Sequence, residues 1–512
     1  MNRWILPLAA SAALYAQVTP MDNVFAGLSA RTTQLAYQQR GGDMTVIAPV
    51  MAQATNSDRV VAYRALTHAS TIMNGRAWTP DNELATGLDF AINAKVVGTG
   101  ESLVTRATFL FDAPAAAQTP YRLQLDLLKA NGDKEATVDP GIVLGDVRGR
   151  RGGETIGLTF DPSKLVQPGL HLLRATLKDG HGTEIFQYHR SFFIVADLTK
   201  RLDAAEKTLE LLPDQRMVAA LTARQLLETV ARAHQTYYGT GFQNLTGYVY
   251  AAMRSAGLGT TEPLDFDAAL TRATKLATSL KEGQDPFADP RGDVGMAYRS
   301  SFDGQLVPYR IYVPKNYDKS RKYPLIVLLH GAGGDETNFL EGYQALFPKF
   351  AEERGYILAS VNGRGPLSGY RPENGGEQDV LDVLDLMKAR FNIDPARTYL
   401  GGHSMGGGGT WTVGLKHRDL FNGLIPIAGT SAVLAPNLEA QMKSGKKLPV
   451  LVVCGVKDAL VAVAGCRTVA EKAKSLDAPL TYKEYPEGDH LSVVPMAVPD
   501  IYNWLDAEAG KK

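Results

Sequence analysis

Three things are scarce in this chain of 512 residues: excess charge of one sign, cysteine and long apolar runs. Lysine plus arginine and aspartate plus glutamate both total 54, so the formal net charge is zero, and no long block of one sign occurs. This balance argues against nucleic acid or an anionic membrane as the main partner. The length exceeds that of one ordinary domain, so we expect two or three domains.

Cysteine occurs only at Cys454 and Cys466. No cluster of histidine and cysteine has zinc-ligand spacing, so the sequence predicts no metal site, and nothing in it calls for a cofactor. In an exported protein these two residues could form one disulfide, but cysteines at this separation could equally be two buried thiols. The sequence leaves both possibilities open.

The candidate targeting segment is at the start of the chain. Arg3 supplies a positive charge, an apolar run then reaches Tyr15, and small residues give candidate cleavage points after Ala13 or Ala16. This pattern is typical of a secretory signal peptide, here residues 1–16, and the alternative is an ordinary N-terminal helix. The run is too short for a transmembrane helix, and no other segment is apolar enough. We therefore expect a secreted or periplasmic protein without a transmembrane span; its oligomeric state stays open.

The part of the chain before residue 296 changes its hydrophobic period twice. Residues 20–87 and 197–282 repeat at helix-like intervals and are predicted to be helical segments. Residues 88–196 have a period of two, with six or seven short runs separated by Gly, Pro and Asp turns, which predicts an immunoglobulin-like antiparallel β-sandwich. Such a module can bind carbohydrate, shape an active-site rim or only space domains. Residues 283–295, with two Asp-Pro pairs, are predicted to be a linker.

Residues 296–512 alternate apolar runs with helical stretches. The run Pro324–Leu329 is apolar throughout, as expected for a strand buried on both faces. This alternation predicts an α/β domain with a mostly parallel sheet and helices on both of its faces. The predicted fold class is therefore α/β, with a C-terminal catalytic domain preceded by the β-sandwich and the helical segments.

The run TYLGGHSMGGGGTW (398–411) places Ser404 in the pattern G-x-S-x-G, between a predicted strand and a predicted helix. A serine at such a sharp turn exposes its hydroxyl, and flanking glycines let other backbone pass close to it. The N-terminus of the following helix favours developing negative charge. Because a bare G-x-S-x-G also occurs by chance in glycine-rich turns, other residues must decide.

A serine nucleophile needs a base, and that base needs an orienting acid. Downstream of Ser404, histidine occurs only at His417 and His490. His417 falls within the helix after the serine, which leaves His490, in a loop after a predicted strand, as the base. Asp458 follows a predicted buried strand at the carboxyl edge of the sheet and suits the acid. Asp489 is the rival, although a neighbour of His490 along the chain would struggle to reach its Nδ1.

The glycine-rich turn HGAGG (330–334) directly follows the apolar strand. An α/β-hydrolase places one backbone N–H of its oxyanion hole in such a turn, and takes the second from the residue after the nucleophile, here Met405. Two such donors stabilise the anion of a tetrahedral intermediate, and losing one typically costs ~3 kcal/mol.

Residues from about Tyr298 to Leu505 resemble the α/β-hydrolase superfamily, and within it the secreted feruloyl esterases, acetylxylan esterases and polyhydroxybutyrate depolymerases. The matching motifs cover about two fifths of the chain: VPYRIYVP (307–314), YPLIVLLHG (323–331), DPARTY (394–399) and GHSMGG (402–407). The resemblance implies a triad of Ser404, Asp458 and His490 and an oxyanion hole of Ala332 and Met405. It also implies that residues 362–370 line the cleft.

The sequence therefore predicts a secreted serine esterase of the carboxylesterase type, acting on a small-molecule or polymeric ester without a cofactor. The resemblance implies feruloyl or acetyl esters of polysaccharide. One alternative is a prolyl-oligopeptidase-like serine peptidase, but its N-terminal domain is usually a propeller, and no repeat of that period occurs here. The other is a binding protein with a hydrolase scaffold, against which the retention of every triad and hole element argues.

Overall fold

The computed structural model describes residues 77–510 and a few positions between 61 and 72, apart from gaps at 118–119, 130–133, 145, 160–166, 236–264, 366–367, 430–446 and 459. The predicted signal peptide 1–16 and most of the predicted helical segment 20–87 lie outside these residues. The chain divides into two compact units, each made of three segments. The first is 1–207, 226–247 and 264–274, and the second is 208–225, 248–263 and 275–512.

The first unit contains two sheets. The smaller has the order β1-β3-β6 and consists of β1 (Leu88–Ile92), β3 (Val104–Phe109) and β6 (Thr155–Thr159). The larger has the order β2-β8-β7-β4-β5 and consists of β2 (Val96–Gly98), β4 (Arg122–Lys129), β5 (Lys134–Val143), β7 (Gly169–Lys178) and β8 (Glu184–Val195). A single apolar core joins them, because Phe90 and Ile92 of the smaller sheet belong to the same cluster as Leu125 and Leu173 of the larger.

This arrangement shows the predicted sandwich in part. Two sheets share a core, as the period of two predicts. However, β2 pairs in parallel with β8, so the larger sheet is not wholly antiparallel. The described residues of 88–196 also form eight strands rather than six or seven.

Helices flank the sandwich in the sequence. Before it, α1 (Pro80–Thr86) begins after Thr79, whose hydroxyl accepts a hydrogen bond from the Asn82 N–H at 3.2 Å, as a helix N-cap does. After it come α2 (Leu198–Glu210), α3 (Val218–Gln235) and α4 (Phe266–Lys281). These three lie within the predicted helical segment 197–282. The next strand begins at Gly292, inside the predicted linker 283–295.

The second unit is built on an eight-stranded sheet of order β16-β15-β14-β13-β11-β12-β10-β9. Its strands are β9 (Gly292–Arg299), β10 (Leu306–Val313), β11 (Tyr323–Leu329), β12 (Ile357–Val361), β13 (Ile393–His403), β14 (Gly423–Ile427), β15 (Val450–Gly455) and β16 (Leu480–Tyr485). At one edge of the sheet, β10 pairs antiparallel with both of its neighbours, β9 and β12. Every other pair in the sheet is parallel.

Among the described residues, six α-helices follow or lie between these strands: α5 (Asn338–Glu341), α6 (Leu346–Arg354), α7 (Gly376–Arg390), α8 (Met405–Lys416), α9 (Val463–Ser475) and α10 (Val493–Gly510). Every residue of β11, β12, β14 and β15 is buried, as expected for parallel strands covered on both faces. The predicted α/β class with a mostly parallel sheet is confirmed. In the part of the chain that the structure describes, no helix has the length and apolar character needed to cross a membrane.

Candidate active site

Ser404 stands at the sharp turn between β13 and α8, with φ 56° and ψ −113°. A residue with a side chain rarely adopts such a positive φ, and holding it there costs on the order of 1–3 kcal/mol. Two backbone hydrogen bonds hold the turn: Ser404 N–H donates to the Ile427 carbonyl at 2.8 Å, and Gly408 N–H donates to the Ser404 carbonyl at 3.0 Å. The serine is therefore presented at the carboxyl end of the central strands by a strained but well-bonded backbone.

Glycine is required around this turn because other backbone passes within contact distance. A Cβ on Gly406 would lie 1.9 Å from the carbonyl oxygen of Leu329, the last residue of β11. A Cβ on Gly402 would lie 2.4 Å from the carbonyl oxygen of Gly406 itself. The G-x-S-x-G pattern is thus a packing requirement that brings the start of α8 against the end of β11.

The structure brings Ser404, His490 and Asp458 into one hydrogen-bonded chain. His490 Nε2 is 2.9 Å from Ser404 Oγ, and His490 Nδ1 is 2.8 Å from Asp458 Oδ2. The other carboxylate oxygen of Asp458 accepts the N–H groups of Leu460 and Val461, both at 2.8 Å. Because the carboxylate accepts at Nδ1, that nitrogen carries the proton, and Nε2 is free to accept from the serine hydroxyl.

The two rival residues are engaged elsewhere. Asp489 Oδ1 accepts the N–H groups of Leu491, at 3.0 Å, and Ser492, at 2.7 Å, and so caps the turn before α10. His417, the residue after the end of α8, places its Nε2 2.8 Å from Glu377 Oε1. Neither takes part in the chain of hydrogen bonds at Ser404.

The turn after β11 lies against the nucleophile. A Cβ on Gly331 would lie 3.1 Å from His403 Nδ1 and 3.3 Å from Ser404 Cβ, so a side chain here would require its neighbours to shift by a few tenths of an ångström. The following residue, Ala332, is exposed, and Met405 is the first residue of α8, where a helix has N–H groups without an intrahelical partner. Both predicted hole residues therefore flank Ser404 on backbone segments that the glycines allow to meet.

Both ends of the segment 362–370 form hydrogen bonds with His330, at the start of the turn after β11. His330 Nε2 is 2.8 Å from the Asn362 carbonyl oxygen, and the Tyr370 hydroxyl donates to the His330 carbonyl at 3.2 Å. Gly369 N–H contacts Met405 Sδ at 3.4 Å. The segment that the resemblance places beside the cleft therefore touches residues on both sides of the candidate oxyanion hole.

A buried ion pair anchors the same segment. Arg364 Nε bonds Asp379 Oδ1 at 3.0 Å, and its Nη1 bonds Asp303 Oδ2 at 2.9 Å. Burial raises the pKa of Asp379 to about 6, because its cost for the charged carboxylate exceeds the gain from Arg364. Nothing in the sequence pattern singled out these three residues, which come from three separate stretches of the chain.

Two further buried side chains escaped the sequence analysis. His403, next to Ser404, places its Nε2 2.7 Å from the carbonyl oxygen of His490, and the Tyr343 hydroxyl is 3.0 Å from His403 Nδ1. The position of His403 inside the GHSMG motif was a signal for it. No comparable signal marks Tyr343, which lies in an irregular stretch between α5 and α6.

Cys454 and Cys466 are joined by a disulfide. One is in β15 and the other in α9, and the loop between them carries Asp458. Of the two possibilities that the sequence left open, the structure shows the disulfide. No group of three or more potential metal ligands occurs among the described residues.

No family model matches the chain. Two curated proteins align with parts of it at 27% identity: "Dipeptidyl-peptidase 5" of Porphyromonas endodontalis, over 42% of this chain and 32% of its own length, and "Probable feruloyl esterase C" of Aspergillus terreus, over 24% and 46%. The chain thus spans less than half the length of either relative. The parallel sheet and its serine turn have the α/β-hydrolase fold. The chain resembles the α/β-hydrolases.

A solved structure is also similar to part of the chain. The ferulic acid esterase AmCE1/Fae1A of Anaeromyces mucronatus is 20% identical, with a TM-score of 0.36, and the match covers 42% of this chain and 89% of that protein. The names of the curated relatives include a peptidase and an esterase.

Proposed function

We propose that this α/β-hydrolase is an exported serine esterase that cleaves carboxylic esters through an acyl-enzyme. The observation that carries the proposal is the chain of hydrogen bonds from Ser404 through His490 to Asp458. The nucleophile, base and acid follow one another in the order that this fold uses, Ser then Asp then His. The serine lies beside a helix N-terminus and a glycine-rich turn, which suits stabilisation of a developing anion.

In the proposed reaction, Ser404 Oγ attacks the ester carbonyl carbon while His490 Nε2 takes the hydroxyl proton. The carbonyl oxygen becomes an oxyanion, which the N–H groups of Ala332 and Met405 stabilise by about 3 kcal/mol each. Asp458 stabilises the imidazolium, and its two backbone donors keep its second oxygen fixed. His490 then protonates the leaving alkoxide, and the alcohol departs.

The acyl group is now bound to Ser404 as an ester. His490, neutral again, takes a proton from a water molecule that attacks the acyl carbon and forms a second tetrahedral intermediate. Its collapse breaks the bond to Ser404 Oγ, which recovers its proton from His490, and the carboxylic acid leaves. Every proton moves through one imidazole, so no metal or cofactor is part of the proposed cycle.

Two observations favour ester over peptide substrates. The motifs of the C-terminal domain resemble the secreted esterases as a set, and one curated relative carries a feruloyl esterase name. In addition, the described strands before residue 196 form two sheets around one core, whereas a propeller would place them in radial blades. The peptidase relative keeps the alternative open to test. We propose feruloyl or acetyl esters of a plant polysaccharide as the substrate class.

The proposed location is outside the cytoplasm. The predicted signal peptide supports it, and so does the disulfide between Cys454 and Cys466, since such bonds persist mainly in oxidising compartments. Fractionation of cells that produce the full chain, followed by N-terminal sequencing of the exported form, tests this proposal. Recovery of an uncleaved chain in the cytoplasm contradicts it.

The deciding experiment compares the mature protein with Ser404→Ala and with Ser475→Ala, a control at an exposed serine of α9. The substrates are p-nitrophenyl acetate, butyrate and octanoate, methyl ferulate, acetylated xylan and a prolyl p-nitroanilide. We expect ester turnover in the wild type and the control, and its loss in Ser404→Ala. Turnover of the anilide alone moves the assignment to a peptidase. Silence on the whole panel favours the binding-protein alternative.

A further inference from the structure

A buried pair of side chains lies directly beneath His490. His403 Nε2 is 2.7 Å from the His490 carbonyl oxygen, and the two imidazole rings are 4.8 Å apart between centroids. The Tyr343 hydroxyl is 3.0 Å from His403 Nδ1, and its ring meets that of His403 edge-on. Tyr343 is 1% exposed and His403 is 3% exposed, so water does not compete for these hydrogen bonds.

The chemistry of the groups fixes the direction of both hydrogen bonds. A carbonyl oxygen can only accept, so the proton of His403 must be on Nε2. Nδ1 then has a lone pair, and the Tyr343 hydroxyl must donate to it. Burial lowers the pKa of His403 to about 3, and therefore the ring is neutral at neutral pH. One tautomer of His403 is selected, and it is the one that donates to His490.

The backbone at Tyr343 is strained where its side chain contacts His403. Tyr343, Gln344 and Ala345 have φ values of 52°, 60° and 49°, three consecutive left-handed residues with side chains. Such a conformation persists only where the surroundings over-determine it, and it is concentrated at functional sites. Here the ring of Tyr343 is packed against Phe339, with 5.2 Å between centroids. The strained turn thus places the Tyr343 hydroxyl within hydrogen-bond distance of the buried Nδ1 of His403.

We propose that Tyr343 and His403 are positioning residues that hold the backbone of His490, so that its ring reaches Ser404 and Asp458 together. The inference rests on the proposed triad. The ring of His490 makes two hydrogen bonds, one to Asp458 and one to Ser404. Both partners are side-chain atoms, so these bonds do not fix the backbone of His490. The bond from His403 to the His490 carbonyl fixes the peptide from which the ring extends. The residue before the nucleophile therefore aligns the base.

Four variants test the proposal with p-nitrophenyl acetate as the substrate: Tyr343→Phe, His403→Gln, His403→Leu and Ser404→Ala. A glutamine side-chain nitrogen can replace the Nε2 donor, whereas leucine cannot, so His403→Gln is the conservative rescue. We expect kcat to fall about 10- to 100-fold in His403→Leu with KM little changed, since misplacement by about 1 Å can cost 10²-fold. His403→Gln should stay within about threefold of the wild type, and Tyr343→Phe should lie between them.

The second readout is the downfield proton NMR signal of the His490–Asp458 hydrogen bond. It should shift or broaden in His403→Leu and Tyr343→Phe and be retained in His403→Gln. Equal losses in His403→Leu and His403→Gln, or a wild-type signal and kcat in Tyr343→Phe, overturn the positioning role. If His403→Leu does not fold, the comparison of Tyr343→Phe with His403→Gln decides alone. Activity in Ser404→Ala refutes the proposed function itself, a separate outcome.

Discussion

Replacing Gly406 by alanine adds one methyl group at the most crowded point of the site. The new Cβ would lie 1.9 Å from the Leu329 carbonyl oxygen, 2.5 Å from the Leu329 carbonyl carbon and 2.7 Å from the His330 carbonyl oxygen. All three atoms are backbone, so no side chain can rotate away. Since real Cβ atoms do not approach below 3.0 Å, the start of α8 and the end of β11 must separate by about 1.1 Å.

That separation acts on the proposed oxyanion hole, because Met405 precedes Gly406 and Ala332 follows the displaced end of β11. A displacement of about 1 Å can cost 10²-fold in rate, and losing one hole donor costs about 10²- to 10³-fold. We therefore expect Gly406→Ala to lower kcat about 100-fold with little change in KM. Overpacking should also lower the free energy of unfolding by about 1–3 kcal/mol.

The assay measures kcat and KM with p-nitrophenyl acetate and the free energy of unfolding by urea titration. Gly401→Ala is the matched control, because it lies on the same buried stretch of β13 but its Cβ would be 3.3 Å from its nearest neighbour, Ile425 Cβ, so a shift of a few tenths of an ångström relieves the contact. We expect the control to keep kcat within about threefold. A kcat near the wild-type value in Gly406→Ala, or an equal loss in Gly401→Ala, refutes the reasoning.

Three more predictions follow from the same unit. Asp458→Asn should lower kcat about 10⁴-fold, while Asp489→Asn, at the turn cap, should stay within about tenfold; equal losses in steady-state assays would contradict the assignment of the acid. Cys466→Ser should lower the free energy of unfolding by about 3 kcal/mol, and a reductant should lower the melting temperature of the wild type alone. The pKa of Asp379 is raised from 3.8 to about 6, so its contribution to the free energy of unfolding is present below about pH 4 and is lost as pH rises through 6. This loss is on the order of 3 kcal/mol. Thermal melts at a series of pH values should show it in the wild type and not in Asp379→Asn.

The sequence was most informative where function constrains residue type locally. The apolar run 324–329 and the serine turn predicted a parallel sheet and the place of Ser404, because burial on both faces and close backbone contact both restrict composition. The choice of Asp458 over Asp489 followed from its position after a predicted buried strand and from the adjacency of Asp489 to His490, and the structure places Asp458 at His490 Nδ1. Local patterns were enough because each element carries its own signal.

The remaining features depend on contacts between distant segments. The parallel pairing of β2 with β8 joins residues about a hundred positions apart, and a period of two is the same for either pairing direction. The bond between Tyr343 and His403 spans sixty positions and depends on a left-handed turn that has no glycine to announce it. The cysteine pairing likewise depended on where α9 lies relative to β15. Sequence periodicity contains none of this information.

Strained backbone is concentrated where the proposed chemistry occurs. Among the described residues, nine non-glycine positions have a positive φ. Six of them are Ser404, Tyr343 to Ala345, Arg364 and Tyr370, and the others are Asp197, Ala428 and Asp477. Left-handed backbone costs roughly 1–2 kcal/mol per residue, so these positions lower the stability of the domain. Three of these positions are held by buried contacts: two backbone bonds at Ser404, the His403 ring at Tyr343, and Asp379 at Arg364. In the proposed site, the same contacts that offset the strain also position Ser404, the proposed base His490 and the segment 362–370. Variants that release one of them should therefore lose activity well before they lose the fold.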